Sequence, residues 1–184
     1  MIATSTRIST DGPPAPPPGA RFAFAAERGP AFAHRLFEAA ARRTPGAPAA
    51  VFADGSVSYG ELNAAANRLA RVLRRRGVGA DARVAVAMER GRELPVALLA
   101  VLKAGGAYVP VDPDYPAERL RYVLQDSAAA LVLCTAATQE RVEGAGVETV
   151  VVEWGCDLPR REDAGDLDGD PHPDALAYVI YTSG

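Results

Sequence analysis

The sequence predicts an α/β fold in which a parallel sheet is flanked by helices. Two observations carry this. From Arg83 onward strand-like runs alternate with segments of helical period, a rhythm that a parallel sheet with crossover helices produces. Near the end, Ala175 to Tyr181 is an apolar run of the kind found in a central strand buried on both faces.

Taken in order, the first 29 residues hold Pro13, Pro14, Pro16, Pro17 and Pro18 and read as a disordered, proline-rich leader, since such a composition resists packing and favours extended conformations. From Ala31 to Arg43, apolar residues Phe32, Leu36, Phe37 and Ala40 recur on one helical face. Ala49 to Ala53 and Val57 to Tyr59, joined by Asp54-Gly55, read as a short hairpin. Ser58 and Glu61 then stand in capping-box spacing ahead of Leu62, Ala65, Ala66, Leu69, Val72 and Leu73, which predicts an amphipathic helix closed at Gly77. Arg71, Arg74, Arg75 and Arg76 crowd its last turns, where cations complement the helix dipole, and read as a solvated helix end in preference to a nucleic-acid patch.

The alternation follows: strand Arg83 to Met88, helix Glu93 to Ala104, strand Ala107 to Val111, helix Pro116 to Asp126, strand Ala130 to Cys134, a short helix over Thr138 to Glu143, and the β-branched run Val147 to Val152. Glu153 to Asp174 reads as a solvated acidic connection leading to the terminal apolar run.

Composition excludes several classes. With 48% hydrophobic and 23% charged residues the chain is of ordinary globular type. A net charge of −3 creates no field that draws nucleic acid or an anionic membrane. The longest apolar run, Leu94 to Leu102, is far short of the ~20 residues that span a bilayer, and no secretory signal is present, so the expected compartment is the cytoplasm. Cys134 and Cys156 are read as free thiols. Gly77, Gly79 and Ala82 match the letters of a dinucleotide fingerprint but follow a helix instead of a strand. Asp166, Asp168 and Asp170 begin like a calcium loop, but Pro171 and Ala177 stand where glycine and glutamate are needed. No catalytic residue and no metal ligand is assigned.

Three segments stand out together: Val57 to Leu62 (VSYGEL), Leu102 to Pro116 (LKAGGAYVPVDPDYP) and Leu176 to Gly184 (LAYVIYTSG). Each has a structural account, as a capping box, as a helix exit with strand and proline turn, and as a strand delivering hydroxyls at its carboxyl end. In this order and spacing they resemble the first, second and beginning of the third core motifs of adenylation domains from nonribosomal peptide synthetases, members of the AMP-forming, adenylate-forming superfamily. The resemblance spans about residues 31–184, and the second segment resembles the amino-acid-activating branch more than the acyl-CoA ligases.

The resemblance implies that residues 30–184 are the N-terminal portion of the adenylate-forming fold, reaching only the start of a phosphate-binding loop. Thr182, Ser183 and Gly184 would begin that loop, hydroxyls and backbone amides being suited to phosphate oxygens. Tyr181 is expected to pack, and Lys103 to be structural. The complete enzyme would use ATP and magnesium to convert an amino acid to its adenylate, then load a carrier-protein thiol. The 184 residues alone are expected to be inactive without the remainder of the adenylation domain. The other reading is a non-catalytic scaffold or interaction module that keeps the fold. A further expectation is exposed apolar surface on the helix at 60–76, awaiting strands of a second sheet.

Overall fold

The computed structural model describes residues 32–155 and 163–182. The proline-rich leader, Cys156, Ser183 and Gly184 lie outside them. The elements are α1 (Ala33–Arg43), β1 (Pro48–Phe52), β2 (Gly55–Ser58), α2 (Tyr59–Arg75), β3 (Arg83–Ala87), α3 (Glu93–Ala104), β4 (Ala107–Pro110), α4 (Ala117–Asp126), β5 (Leu131–Cys134), α5 (Gln139–Val142) and β6 (Glu148–Val151).

β3 to β6 form a fully parallel sheet in the order β4-β3-β5-β6, with Val84 opposite Tyr108 on one side and Leu131 on the other. Alternate side chains of these strands feed two cores, as the two-residue period requires. Val84, Val86, Leu131 and Leu133 pack against α2 and α3. Ala85, Ala87, Val132 and Cys134 pack against Leu120, Val123 and Leu124 of α4 and Val142 of α5. Helices thus cover both faces, as expected. β1 and β2 form a separate antiparallel hairpin.

Local signals explain the element boundaries. The Ser58 hydroxyl accepts from the Glu61 backbone N–H, and the Glu61 carboxylate accepts from the Ser58 N–H at 2.9 Å, so the capping box opens α2. These hydrogen bonds from Ser58 hold the Glu61 carboxyl below its usual pKa. The exit of α3 uses two glycines for different reasons. Gly105 has φ +93°, the left-handed conformation that ends a helix. At Gly106 a Cβ would stand 2.8 Å from Val78 Cγ1 and 2.9 Å from the Ala82 carbonyl oxygen, because the chain passes directly beneath the α2–β3 connection.

Four expectations are corrected. The apolar face of α2 is not exposed: Leu62, Ala66, Leu69, Ala70 and Leu73 are buried, since Ala66 and Ala70 let α2 approach the equally small Ala97, Ala100 and Ala104 of α3. On α1 the helix is where the period puts it, but the covered face is His34, Glu38 and Ala41, with Leu36 left 44% exposed. Glu38 faces inward because a buried ammonium awaits it. The acidic stretch is no solvated connection over residues 163–170, for it lies across α1 and α2 with Leu167 in the core, and Arg71 and Arg74 of α2 bind it. Finally, the run 175–181 sits beside β4 at the edge of the sheet, joined by a parallel bridge between Tyr108 and Tyr178, with Leu176, Tyr178 and Ile180 about half exposed. No described strand lies on its outer side.

Gly106→Ala is expected to destabilise the chain by about 1–3 kcal/mol, since one contact is a backbone carbonyl that cannot swing away. Gly46→Ala, where a Cβ meets nothing within 4 Å, is the control. Urea unfolding midpoints of the two variants check this.

Candidate functional site

All four strands are parallel, so their carboxyl ends and the loops that follow lie along one edge, the position where open α/β sheets bind ligands. The strand order places the topological switch between β3, whose crossover leads to β4, and β5, whose crossover leads to β6. That crevice is filled from within. The fully buried Thr138 donates its hydroxyl to the Ala87 carbonyl at 2.8 Å and accepts from the Thr135 N–H, tying the β5–α5 turn to the end of β3.

Further along the same edge, the turn after β4 opens a cleft of about 280 Å³ lined by Pro113, Asp114, Tyr115, Ala117, Leu120 and Arg141. Asp112 accepts from the Asp114 N–H and shapes this turn, while Arg141 pairs with Asp114 across the mouth. Arg141 carries no signal in the sequence, because its partner lies 27 positions away and α5 is too short to show a period.

Beside β4 runs the segment carrying the candidate phosphate residues. Tyr108 N–H donates to the Ala177 carbonyl at 3.1 Å, and Val179 N–H donates to the Tyr108 carbonyl at 3.0 Å. The segment therefore runs parallel to β4 and heads for the same carboxyl edge. Tyr181 packs against the α4 core, and its hydroxyl donates to Asp126 at 2.6 Å. Burial and the Asp126 carboxylate push that phenol up to about 12. Thr182 follows, exposed. Of the three candidate residues only Thr182 is described.

The stretch 163–170, which leads toward this segment, is held by a polar network that periodicity did not reveal. The Lys103 ammonium, completely buried at the end of α3, donates to Glu38 Oε1 at 2.5 Å and lies 3.7 Å from Asp166 Oδ1. Arg35 binds Glu38 Oε2 at 2.8 Å, the carbonyls of Leu167 and Gly169, and Asp170. Asp166 also accepts from Asn63, Asn67 and Arg42. Burial pushes Lys103 down, against the pull of Glu38 and Asp166. For Asp166 burial acts upward, but the Asn63 and Asn67 amides, with Lys103 and Arg42, outweigh it and hold the carboxyl low. The one signal in the sequence was a lone lysine in the otherwise apolar stretch 94–104.

Lys103 is therefore structural, as expected. Truncating Glu38 to Ala removes the nearer counter-charge and leaves the buried ammonium with Asp166 at 3.7 Å, and is expected to cost about 3–5 kcal/mol, whereas Glu38→Met with Lys103→Met recovers most of it. Chemical denaturation of the single and double variants decides this.

Burial holds His34 below its ordinary 6.5, with Arg35 and Lys103 acting the same way against Glu38 and Asp170. Below pH 6.5 the unfolded chain then binds a proton that the folded chain does not, so stability falls as pH drops. Asp166 acts in the same direction below its unfolded value of 3.8. Melting temperatures are expected to decline from pH 7 to pH 5, and His34→Gln is expected to flatten that slope.

The AMP-binding enzyme family model matches residues 37–184. Tyrocidine synthase 3 from Brevibacillus parabrevis is 49% identical over 155 residues, covering 82% of this chain and 2% of that protein. Tyrocidine synthase 1 from the same organism is 44% identical over 151 residues, covering 82% of this chain and 14% of that protein. The chain thus spans a small part of the relatives it matches. A crystal structure of the nonribosomal peptide synthetase FmoA3 superposes with a TM-score of 0.77 at 34% identity, covering 83% of this chain and 16% of that one. A Mycobacterium tuberculosis fatty acyl-CoA synthetase, 22% identical with a TM-score of 0.73, shares the fold.

Proposed function

Since the chain belongs to the AMP-binding enzyme family, matched over residues 37–184, we propose that it is the N-terminal part of an amino-acid-adenylating domain of a nonribosomal peptide synthetase. The observation that carries this reading is the parallel segment beside β4, which aims Thr182 at the carboxyl edge of the sheet with Ser183 and Gly184 next in sequence. In this reading those three residues open the loop that takes the triphosphate of ATP. A threonine and a serine hydroxyl with backbone amides free of bulky side chains offer several donors to a spread negative charge.

The complete enzyme would direct an amino-acid carboxylate at the α-phosphate of ATP, with magnesium as counter-charge, and release pyrophosphate. The aminoacyl adenylate would then pass to a carrier-protein thiol. Support comes from synthetases among the relatives and from an FmoA3 crystal structure with AMPPNP, which superposes at a TM-score of 0.75 and 35% identity. In this reading the described residues supply the sheet and, at Thr182, the start of the site. Among them there is no cluster of three or more His, Cys, Asp or Glu side chains that could hold a metal ion, so magnesium would be bound by the nucleotide and by residues outside this set. No helix in the described residues is long and apolar enough to cross a membrane.

Amino-acid-dependent ATP–pyrophosphate exchange tests the proposal. The 184 residues alone are expected to give no exchange. Joined at Gly184 to the part of tyrocidine synthase 1 that follows its matching segment, they are expected to give exchange that Thr182→Val lowers by about tenfold or more, the scale of losing one positioned phosphate donor. A folded chimera with no exchange for any amino acid favours the scaffold reading.

A further inference from the structure

Asp126 stands where a carboxylate is unfavourable. It is the last residue of α4, beside the carbonyls at the negative end of the helix dipole, and the last turn holds no basic side chain to compensate. Four residues earlier on the same face stands Tyr122, so no i,i+4 ion pair offsets the charge. The helix itself gives no reason for an acid at this position.

The reason lies 55 positions away. The Tyr181 hydroxyl donates to Asp126 Oδ2 at 2.6 Å, a charge-assisted bond of the short, strong kind. Burial and the same carboxylate disfavour ionisation of the phenol, so the donor keeps its proton at neutral pH. Around this bond Val179 and Tyr181 pack against the cluster that contains Leu120, Val123 and Leu124 of α4.

The bond has a place in the path of the chain. Val179 N–H donates to the Tyr108 carbonyl at 3.0 Å, Tyr181 follows two residues later, and Thr182 is next. The segment is thus held at two points on two elements, by backbone on β4 and by side chain on α4. One point fixes where a chain is, and two fix the direction in which it leaves.

We infer that Asp126 is a positioning residue, which through the Tyr181 hydroxyl sets the direction in which the chain leaves β4 for Thr182. The anchor does not depend on what Thr182 binds, whereas its consequence for ATP rests on the adenylation reading.

In the 184-residue chain, Asp126→Ala and Tyr181→Phe are each expected to speed amide exchange at Val179 by about threefold to tenfold, the factor that one hydrogen bond is worth, while β3 and β5 exchange as in the wild type. Asp126→Asn still accepts from the phenol and is expected to keep Val179 close to the wild-type rate. Because the carboxylate opposes the helix dipole, Asp126→Ala is expected to leave the urea unfolding midpoint unchanged or raised, which a merely structural acid would not do. In the tyrocidine synthase 1 chimera, Asp126→Ala and Tyr181→Phe are each expected to raise the KM for ATP by about the same factor with the KM for the amino acid unchanged, and Asp126→Asn is expected to recover most of the loss. The combined variant is expected to be no worse than either single one, since both remove the same bond. Unchanged exchange at Val179 in Asp126→Ala overturns the inference whether or not the chimera is active. A wild-type chimera without activity overturns the adenylation reading and leaves the anchor to be decided by amide exchange. In an active chimera, additive effects of the two substitutions, an equal rise in the KM for the amino acid, or a lowered urea midpoint with faster exchange in every element would each overturn the inference.

Discussion

The buried contact between Lys103 and Glu38 is the constraint around which the rest is arranged. A fully buried ammonium is admissible only with a charged partner and further donors or acceptors around it. Meeting that requirement turns α1 so that Glu38 faces inward and leaves Leu36 outside. It also brings Asp166 to within 3.7 Å of the same ammonium, which lays residues 163–170 over the helices. Arg35, Arg42, Arg71 and Arg74 then bind that strap along its length. Such a pair contributes little net stability over a well-packed apolar alternative, but it strongly disfavours arrangements in which the charges are apart.

The strap has a consequence for the site. It is the connection that leads into the segment beside β4, and its fixed path determines where that segment meets Tyr108. From there two bonds to Tyr108 and one from Tyr181 to Asp126 carry the chain to Thr182. A network among α1, α2 and α3 on one face of the sheet thereby bears on the approach of residues whose proposed chemistry lies at its carboxyl edge.

Most of the fold was legible because its elements are separated by strong local signals. The capping box at Ser58 and Glu61, the Gly105-Gly106 exit and the uninterrupted apolar strands each act within a few residues. What was misread depended on contacts between distant residues. Phe32, Leu36, Phe37 and Ala40 make the more apolar face of α1, yet an ion pair 65 positions apart decided its orientation. The acidic residues 163–170 looked solvated because their partners belong to three other helices. The terminal apolar run looked central on composition, and only its neighbours could show it at an edge. Around the proposed site, the apolar run that leads to Thr182 was legible, whereas the Thr138 plug and the Arg141–Asp114 pair had no pattern to betray them.

In the proposed function, the chain beyond Tyr181 begins a nucleotide phosphate loop at the carboxyl edge of this sheet. The most direct measurement is a crystal structure, bound to a non-hydrolysable ATP analogue, of these residues continued into a complete adenylation domain. A phosphate loop at this position puts the Thr182 or Ser183 hydroxyl, or the Gly184 amide, within about 3.2 Å of a phosphate oxygen. A triphosphate bound elsewhere, with all three residues free of it, would contradict that role.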